Sequence, residues 1–149
     1  MQDDAILEAV LAPLKSLDIS GWDLSNRASA HSMFSDCKAL ESLKASNLKP
    51  CKDLQFMFYG CESLKHIDLS GWDTSKVKNM SGMFYGCSSL TSLKTGEEWK
   101  TPKNSKPDFP VAMVDEEGTV HYADEHIPGG AHTYTVANQL SLTTGGPGT

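Results

Sequence analysis

Leu64-Lys65-His66-Ile67-Asp68-Leu69-Ser70-Gly71-Trp72-Asp73 decides the fold, because the chain has already used nearly the same stretch at Leu14-Lys15-Ser16-Leu17-Asp18-Ile19-Ser20-Gly21-Trp22-Asp23. Its opening restarts at Leu40-Glu41-Ser42-Leu43 and at Leu90-Thr91-Ser92-Leu93. Units therefore begin at 14, 40, 64 and 90, which are 26, 24 and 26 residues apart. A second landmark keeps the same step: Met33-Phe34 with Cys37, Met57-Phe58 with Cys61, Met83-Phe84 with Cys87. Two landmarks in one register establish an internal repeat.

A period of about 20–29 residues opening on Leu-x-x-Leu-x-Leu is that of a leucine-rich repeat. The expected fold class is an α/β solenoid in which each unit supplies a short parallel strand and then a helix. In the third unit Ser75 is the expected N-cap. Val77, Met80, Met83, Phe84 and Cys87 follow at i, i+3, i+6, i+7 and i+10, an apolar stripe at helical spacing, with Gly86 ending the helix. The second unit is short between Lys49 and Pro50, at the strand-to-helix loop, where Pro50 suits a helix start. The first unit has the weakest helix, with Arg27, Ala28 and Ala30 in place of Val77, Lys78 and Met80.

The expected organisation runs in four parts. Residues 1–13 form a capping helix, the degenerate remainder of a preceding unit, stopped by Pro13. Residues 14–99 are the repeats. Residues 100–136 are a Pro/Lys-rich connector and a small β cap, with strands at Val111–Val114, Thr119–Tyr122 and Thr133–Val136 around a turn at Asp115-Glu116-Glu117-Gly118. Residues 137–149 read as a flexible tail.

The run Leu64 to Cys87, L-K-H-I-D-L-S-G-W-D-T-S-K-V-K-N-M-S-G-M-F-Y-G-C, resembles the BspA-like bacterial surface proteins, in particular those with 26-residue leucine-rich repeats. The resemblance covers residues 14–99 and extends into the stretch from Phe109 to Thr135 that looks like the segment closing such arrays. It implies display on the extracellular face of a bacterial cell and adhesion, with no catalytic residues to carry over.

Composition narrows the function classes. The 149 residues carry a formal net charge of -6, which disfavours nucleic acid as a partner, since that needs a basic stripe to displace counterions. No apolar run reaches the ~18–20 residues that span a bilayer. Met1-Gln2-Asp3-Asp4 lacks the positive charge of a signal peptide, and Gly145 to Thr149 carries no wall-anchor motif, so no export signal is expected in this stretch. A monomer is expected.

Cys37, Cys61 and Cys87 hold one repeat position, and Cys51 matches Val77. Helices lying ~8–10 Å apart would hold successive cysteines beyond disulfide reach. Buried free thiols are therefore expected, with neither disulfide nor metal. The Met-Phe pairs fit a stacked core. Trp22, Leu48 and Trp72 fit a packing column, with a sugar-stacking platform as the functional alternative.

The expected binding residues lie on the strands, where alternate side chains face outward. One column contains Ser16, Ser42, His66 and Ser92; another contains Asp18, Lys44, Asp68 and Lys94. Strand spacing of ~4.7–4.9 Å would alternate opposite charges along the second column, as a sheet-stabilising ladder or a binding stripe. No nucleophile elbow, Walker loop, GxGxxG or HExxH occurs. His121, His126 and His132 are expected as solvated loop residues, and Asp115-Glu116-Glu117 as a solvated turn. The expected function is therefore an interaction module with no catalytic residues and no cofactor, which binds a host or bacterial surface protein or a glycan through its repeat face. A structural spacer is the alternative; an enzyme has only scattered polar residues behind it.

Overall fold

The computed structural model of the chain describes residues 13–137. Four units open with a short strand each: β1 (Ser16–Asp18), β2 (Ser42–Lys44), β3 (His66–Leu69) and β4 (Ser92–Thr95). These strands run parallel, with Leu17 opposite Leu43, Leu43 opposite Ile67 and Ile67 opposite Leu93. The inward residues Leu43, Ile67 and Leu93 are buried, and the polar residues beside them turn to the other face. Beyond β4 the chain forms β5 (Met113–Val114), β6 (Val120–His121) and β7 (Thr133–Val136). β7 runs antiparallel to β4, and β5 runs antiparallel to both β7 and β6. The product is one seven-stranded mixed sheet in the order β1-β2-β3-β4-β7-β5-β6.

The described residues contain no helix, which overturns the expected α/β solenoid of strand-plus-helix leucine-rich repeats. Where the helices were expected, each unit makes a run of tight turns. Met83 donates to the Met80 carbonyl, Tyr85 to Gly82 and Cys87 to Phe84, all i→i+3 bonds. The alternate amides leave the unit altogether. Leu54, Phe56, Phe58 and Gly60 donate to the carbonyls of Asn79, Ser81, Met83 and Tyr85 in the next unit. Ala30, Ser32, Phe34 and Asp36 donate likewise to Asp53, Gln55, Met57 and Tyr59. An α-helix keeps its interior amides for its own i→i−4 bonds, so the two arrangements exclude each other. Positive φ enforces the choice. Ser32 (58°), Phe56 (57°) and Gly82 (66°) share one position, and Asp36 (58°), Gly60 (74°) and Gly86 (83°) another. A right-handed helix admits neither. Tight turns also repeat every three or so residues, so their inward positions reproduce the spacing read as a helical stripe.

The expected capping details change accordingly. Pro50 begins no helix, and Ser75 caps none; its amide donates to Asp73 Oδ1 at 3.0 Å. The same short loop recurs at Asp18–Ser20 (3.0 Å), Asp23–Ser25 (2.9 Å), Asp68–Ser70 (3.0 Å) and Asn79–Ser81 (2.9 Å). A side-chain oxygen that accepts the amide two residues on turns the chain at each corner of the unit. Except for Pro13, the expected N-terminal helix lies outside the described residues, as does the expected tail beyond residue 137.

Side chains at equivalent positions pile into columns inside the coil. Phe34 stacks on Phe58 at 5.9 Å between ring centroids, and Phe58 on Phe84 at 6.2 Å. All three are buried, each worth about 1.5–3 kcal/mol of transfer free energy. The expected tryptophan column forms differently. Trp72 is buried, packs against Trp99 at 6.4 Å and donates from Nε1 to the Ala45 carbonyl at 2.5 Å. Trp22 stands 43% exposed at the first unit.

The sign of one substitution separates turns from helices. In a helix interior, Gly82→Ala would raise stability by roughly 1 kcal/mol. Here Gly82 has φ +66°, and a methyl group there would meet the Phe56 ring of the preceding unit. The expected result is a loss of about 1–3 kcal/mol in denaturant unfolding. The corner carboxylates set a pH response. Hydrogen bonds from Ser20, Ser25 and Ser75 hold Asp18, Asp23 and Asp73 below the usual carboxylate range. Their contribution is present above the unfolded-state value of about 3.9 and disappears as pH falls through the lower folded-state values. The midpoint of thermal unfolding is expected to drop below about pH 4, and less so in the triple Asp→Asn variant, whose amides accept the same bonds.

Candidate functional site

The strand face holds its two polar columns in straight register. Ser16, Ser42, His66 and Ser92 pair in turn, and Thr135 extends them. Asp18, Lys44, Asp68 and Lys94 do the same and end on Thr133. His66 Nδ1 lies 2.8 Å from Ser92 Oγ. The acids, however, face their own corners, Asp18 toward Ser20 and Asp68 toward Ser70. Among the described residues the Asp–Lys column forms no ion pair; the pairs between units are Lys38–Glu62 (3.4 Å) and Lys65–Glu41 (3.9 Å), both exposed. Both columns are polar along their whole length.

The four cysteines are free and buried. Turn runs replace the expected helices, so successive cysteines are not held apart by helix spacing. Each thiol is instead occupied inside the coil. Cys61 Sγ donates to the Phe34 carbonyl (3.1 Å) and Cys87 Sγ to Phe58 (3.3 Å). Burial pushes the Cys87 thiol up to about 12, and a hydrogen bond with Cys37 together with burial raises Cys61 further. Neutral thiols of this kind are poor nucleophiles.

His121 is enclosed and paired with an acid, which corrects the solvated reading for that residue, while His126 and His132 lie beside acids with 52% and 29% of their side chains exposed. His121 Nε2 lies 2.8 Å from Asp115 Oδ2, with only 13% of its side chain exposed, between Phe109 and Tyr134. Asp115 also accepts the Glu117 and Thr119 amides, so it holds the β5–β6 turn together. His132 Nδ1 sits 3.0 Å from Glu116, and this contact pulls the Glu116 carboxyl down and the His132 imidazole up. His126 is 3.6 Å from Asp108. Among the described residues no three ligand-type side chains are placed to hold a metal ion.

The prominent surface feature lies on the turn runs. Tyr59 and Tyr85 follow the buried Phe58 and Phe84, so their rings go to the outside. They stack at 5.5 Å and 10°, 39% and 65% exposed. Phe56 meets Tyr59 edge-on at 5.6 Å, and His31 meets Phe56 at 5.4 Å. Beyond Tyr85 opens a cleft of about 320 Å³, lined by Tyr85, Gly86, Lys106, Asp108, Phe109 and Asp124 among others. Sequence reasoning passed over these tyrosines. Their signal lay in Met-Phe-Tyr-Gly at 57–60 and 83–86, where the residue after a core Phe must point away from the core.

A family model described as "Mycoplasma protein of unknown function, DUF285" matches residues 7–112. With the absence of helices, this match replaces the expected assignment to BspA-like surface proteins with 26-residue leucine-rich repeats. No curated protein and no solved structure matches the chain. No helix among the described residues is long and apolar enough to cross a membrane.

The strand column yields a charge test. Lys44→Asp places three acids in succession at positions 18, 44 and 68, and is expected to lower stability by roughly 1 kcal/mol at low salt and less at high salt. Identical thermal unfolding of the variant and the parent at low salt contradicts any electrostatic role for the column.

Proposed function

The chain belongs to this Mycoplasma family, and from that premise we propose that it is an interaction module holding a protein or glycan ligand on the aromatic edge of its turn runs. The stacked Tyr59–Tyr85 pair beside the cleft carries this reading. Large aromatic rings left exposed in a group, next to a concave surface of mixed apolar and charged lining, suit contact with a partner, because each ring brings apolar area at little cost in side-chain entropy. The edge is also preorganised. The Phe56 ring packs over Gly82, and the Tyr59 and Tyr85 backbones are fixed by bonds to Asp36 and Gly60. The strand columns hold polar side chains, some of them already bonded, His66 with Ser92 and Asp68 with Ser70. Binding is favoured over turnover because the thiols are buried and neutral and the C-terminal histidines hold turns and neighbouring acids.

Backbone amide spectra recorded against mixed panels of peptides and oligosaccharides test the proposal. Ligand-induced shifts are expected to cluster at Tyr59, Tyr85, Gly86, Lys106 and Asp108. A cluster at Ser42, Lys44, His66 and Asp68 would move the site to the strand face. Chemical conversion of any panel member would replace binding with catalysis.

A further inference from the structure

The cleft lies where the ladder between units stops. Two steps of that ladder show what fills such a place. The Asp36 amide donates to the carbonyl of Tyr59, and the Gly60 amide donates to the carbonyl of Tyr85. In the second step the same residue, Tyr85, also lays its ring on Tyr59. One residue thus supplies both a backbone acceptor and a stacking ring to the unit before it. The third step begins in the same way: Gly82 donates to the Lys106 carbonyl, and Ser105 Oγ accepts from the Met80 amide. The chain then turns away through Pro107 and Asp108 toward Phe109. Among the described residues the Gly86 amide, equivalent to Asp36 and Gly60, has no acceptor. Gly86 lines the cleft, and among the described residues the Tyr85 ring, 65% exposed, stacks on Tyr59 and on no other ring.

We propose that this vacant half-step is a binding site for an aromatic residue of a partner polypeptide, which stacks its ring on Tyr85 and accepts the Gly86 amide with its own backbone carbonyl. The inference rests on the binding-module reading and names its ligand class. A polypeptide is the occupant because the chain's own backbone fills the equivalent place at the two preceding steps. This is ladder extension by a foreign segment, in which main-chain bonds give affinity and a side-chain pocket gives selectivity. The cleft also holds the carboxylates of Asp108 and Asp124 against the single ammonium of Lys106, so a basic residue beside the aromatic one is preferred.

The probe is an acetylated peptide copying residues 80–87, with Cys87→Ser and two lysines appended for solubility and charge. Titrated into the protein, it is expected to bind saturably, to move the Gly86 amide proton downfield and to slow its exchange. Tyr85→Ala, or replacement of the peptide's tyrosine by alanine, is expected to weaken binding about tenfold or more, as for a buried aromatic anchor. Tyr85→Trp should retain binding, and Trp22→Ala, an exposed ring at the first unit, should leave it unchanged. Peptide binding that leaves the Gly86 amide unmoved overturns the inference, as does self-association of the chain that buries Tyr85. If oligosaccharides alone shift Tyr85, the ligand class is wrong and the binding-module reading stands. If no probe of either class shifts the aromatic edge, both fail.

Discussion

In the first and second units every second amide of the turn run is satisfied by the next unit, and the rest of the molecule follows from that constraint. Ala30, Ser32, Phe34 and Asp36 depend on the second unit; Leu54, Phe56, Phe58 and Gly60 depend on the third. A backbone donor left dry and unpaired costs free energy comparable to a lost hydrogen bond, so no unit can form its turns alone. The units must pack at strand spacing, which lays Phe34, Phe58 and Phe84 face to face and puts Leu17, Leu43, Ile67 and Leu93 in one row. Burial of these columns then stabilises the stack that the hydrogen bonds align.

Such a stack has to end, and its two sides end differently. On the strand side β7 runs antiparallel along β4, and the bonded β5–β6 hairpin continues the sheet. Phe109 and Tyr134 cover the core there, with His121 and Asp115 tying the hairpin to them. On the turn side the covering segment bonds the turn run of the third unit at Met80, Ser81 and Gly82, through Ser105 and Lys106, and at no later residue among those described. The cleft, the Gly86 amide that has no acceptor among the described residues, and the outer face of Tyr85 are consequences of that incomplete match. The candidate site is thus a product of how the array terminates, while its aromatic edge comes from the repeat itself.

The register of the array was legible in the sequence because two landmarks keep step, and Leu14, Leu40, Leu64 and Leu90 mark the starts without reference to any fold. The conformation of the second half of each unit was not. Apolar residues at i, i+3, i+6, i+7 and i+10 suit a helix, and they equally suit i→i+3 turns that cross the core. The deciding marks were Gly60, Gly82 and Gly86 within the expected helices, and the Asp-x-Ser corners at 18–20, 23–25, 68–70 and 73–75. The glycines allow positive φ at low cost, whereas Ser32, Asp36 and Phe56 adopt it with no such mark in the sequence. The His132–Glu116 and His126–Asp108 pairs join residues 16 and 18 apart, beyond what local spacing reveals, whereas His121–Asp115 closes the short β5–β6 turn. The tyrosine edge carries no pattern of its own in the sequence; it shows only as the residue that follows each core Met-Phe pair, at Tyr59 and Tyr85.

Scalar couplings across hydrogen bonds give the most direct test, because they identify the acceptor of each amide without reference to packing. For the Phe58 and Gly60 amides, couplings are expected to the carbonyl carbons of Met83 and Tyr85, a whole unit away. Couplings from those amides to carbonyls four residues earlier in their own unit would contradict the account and restore the helix.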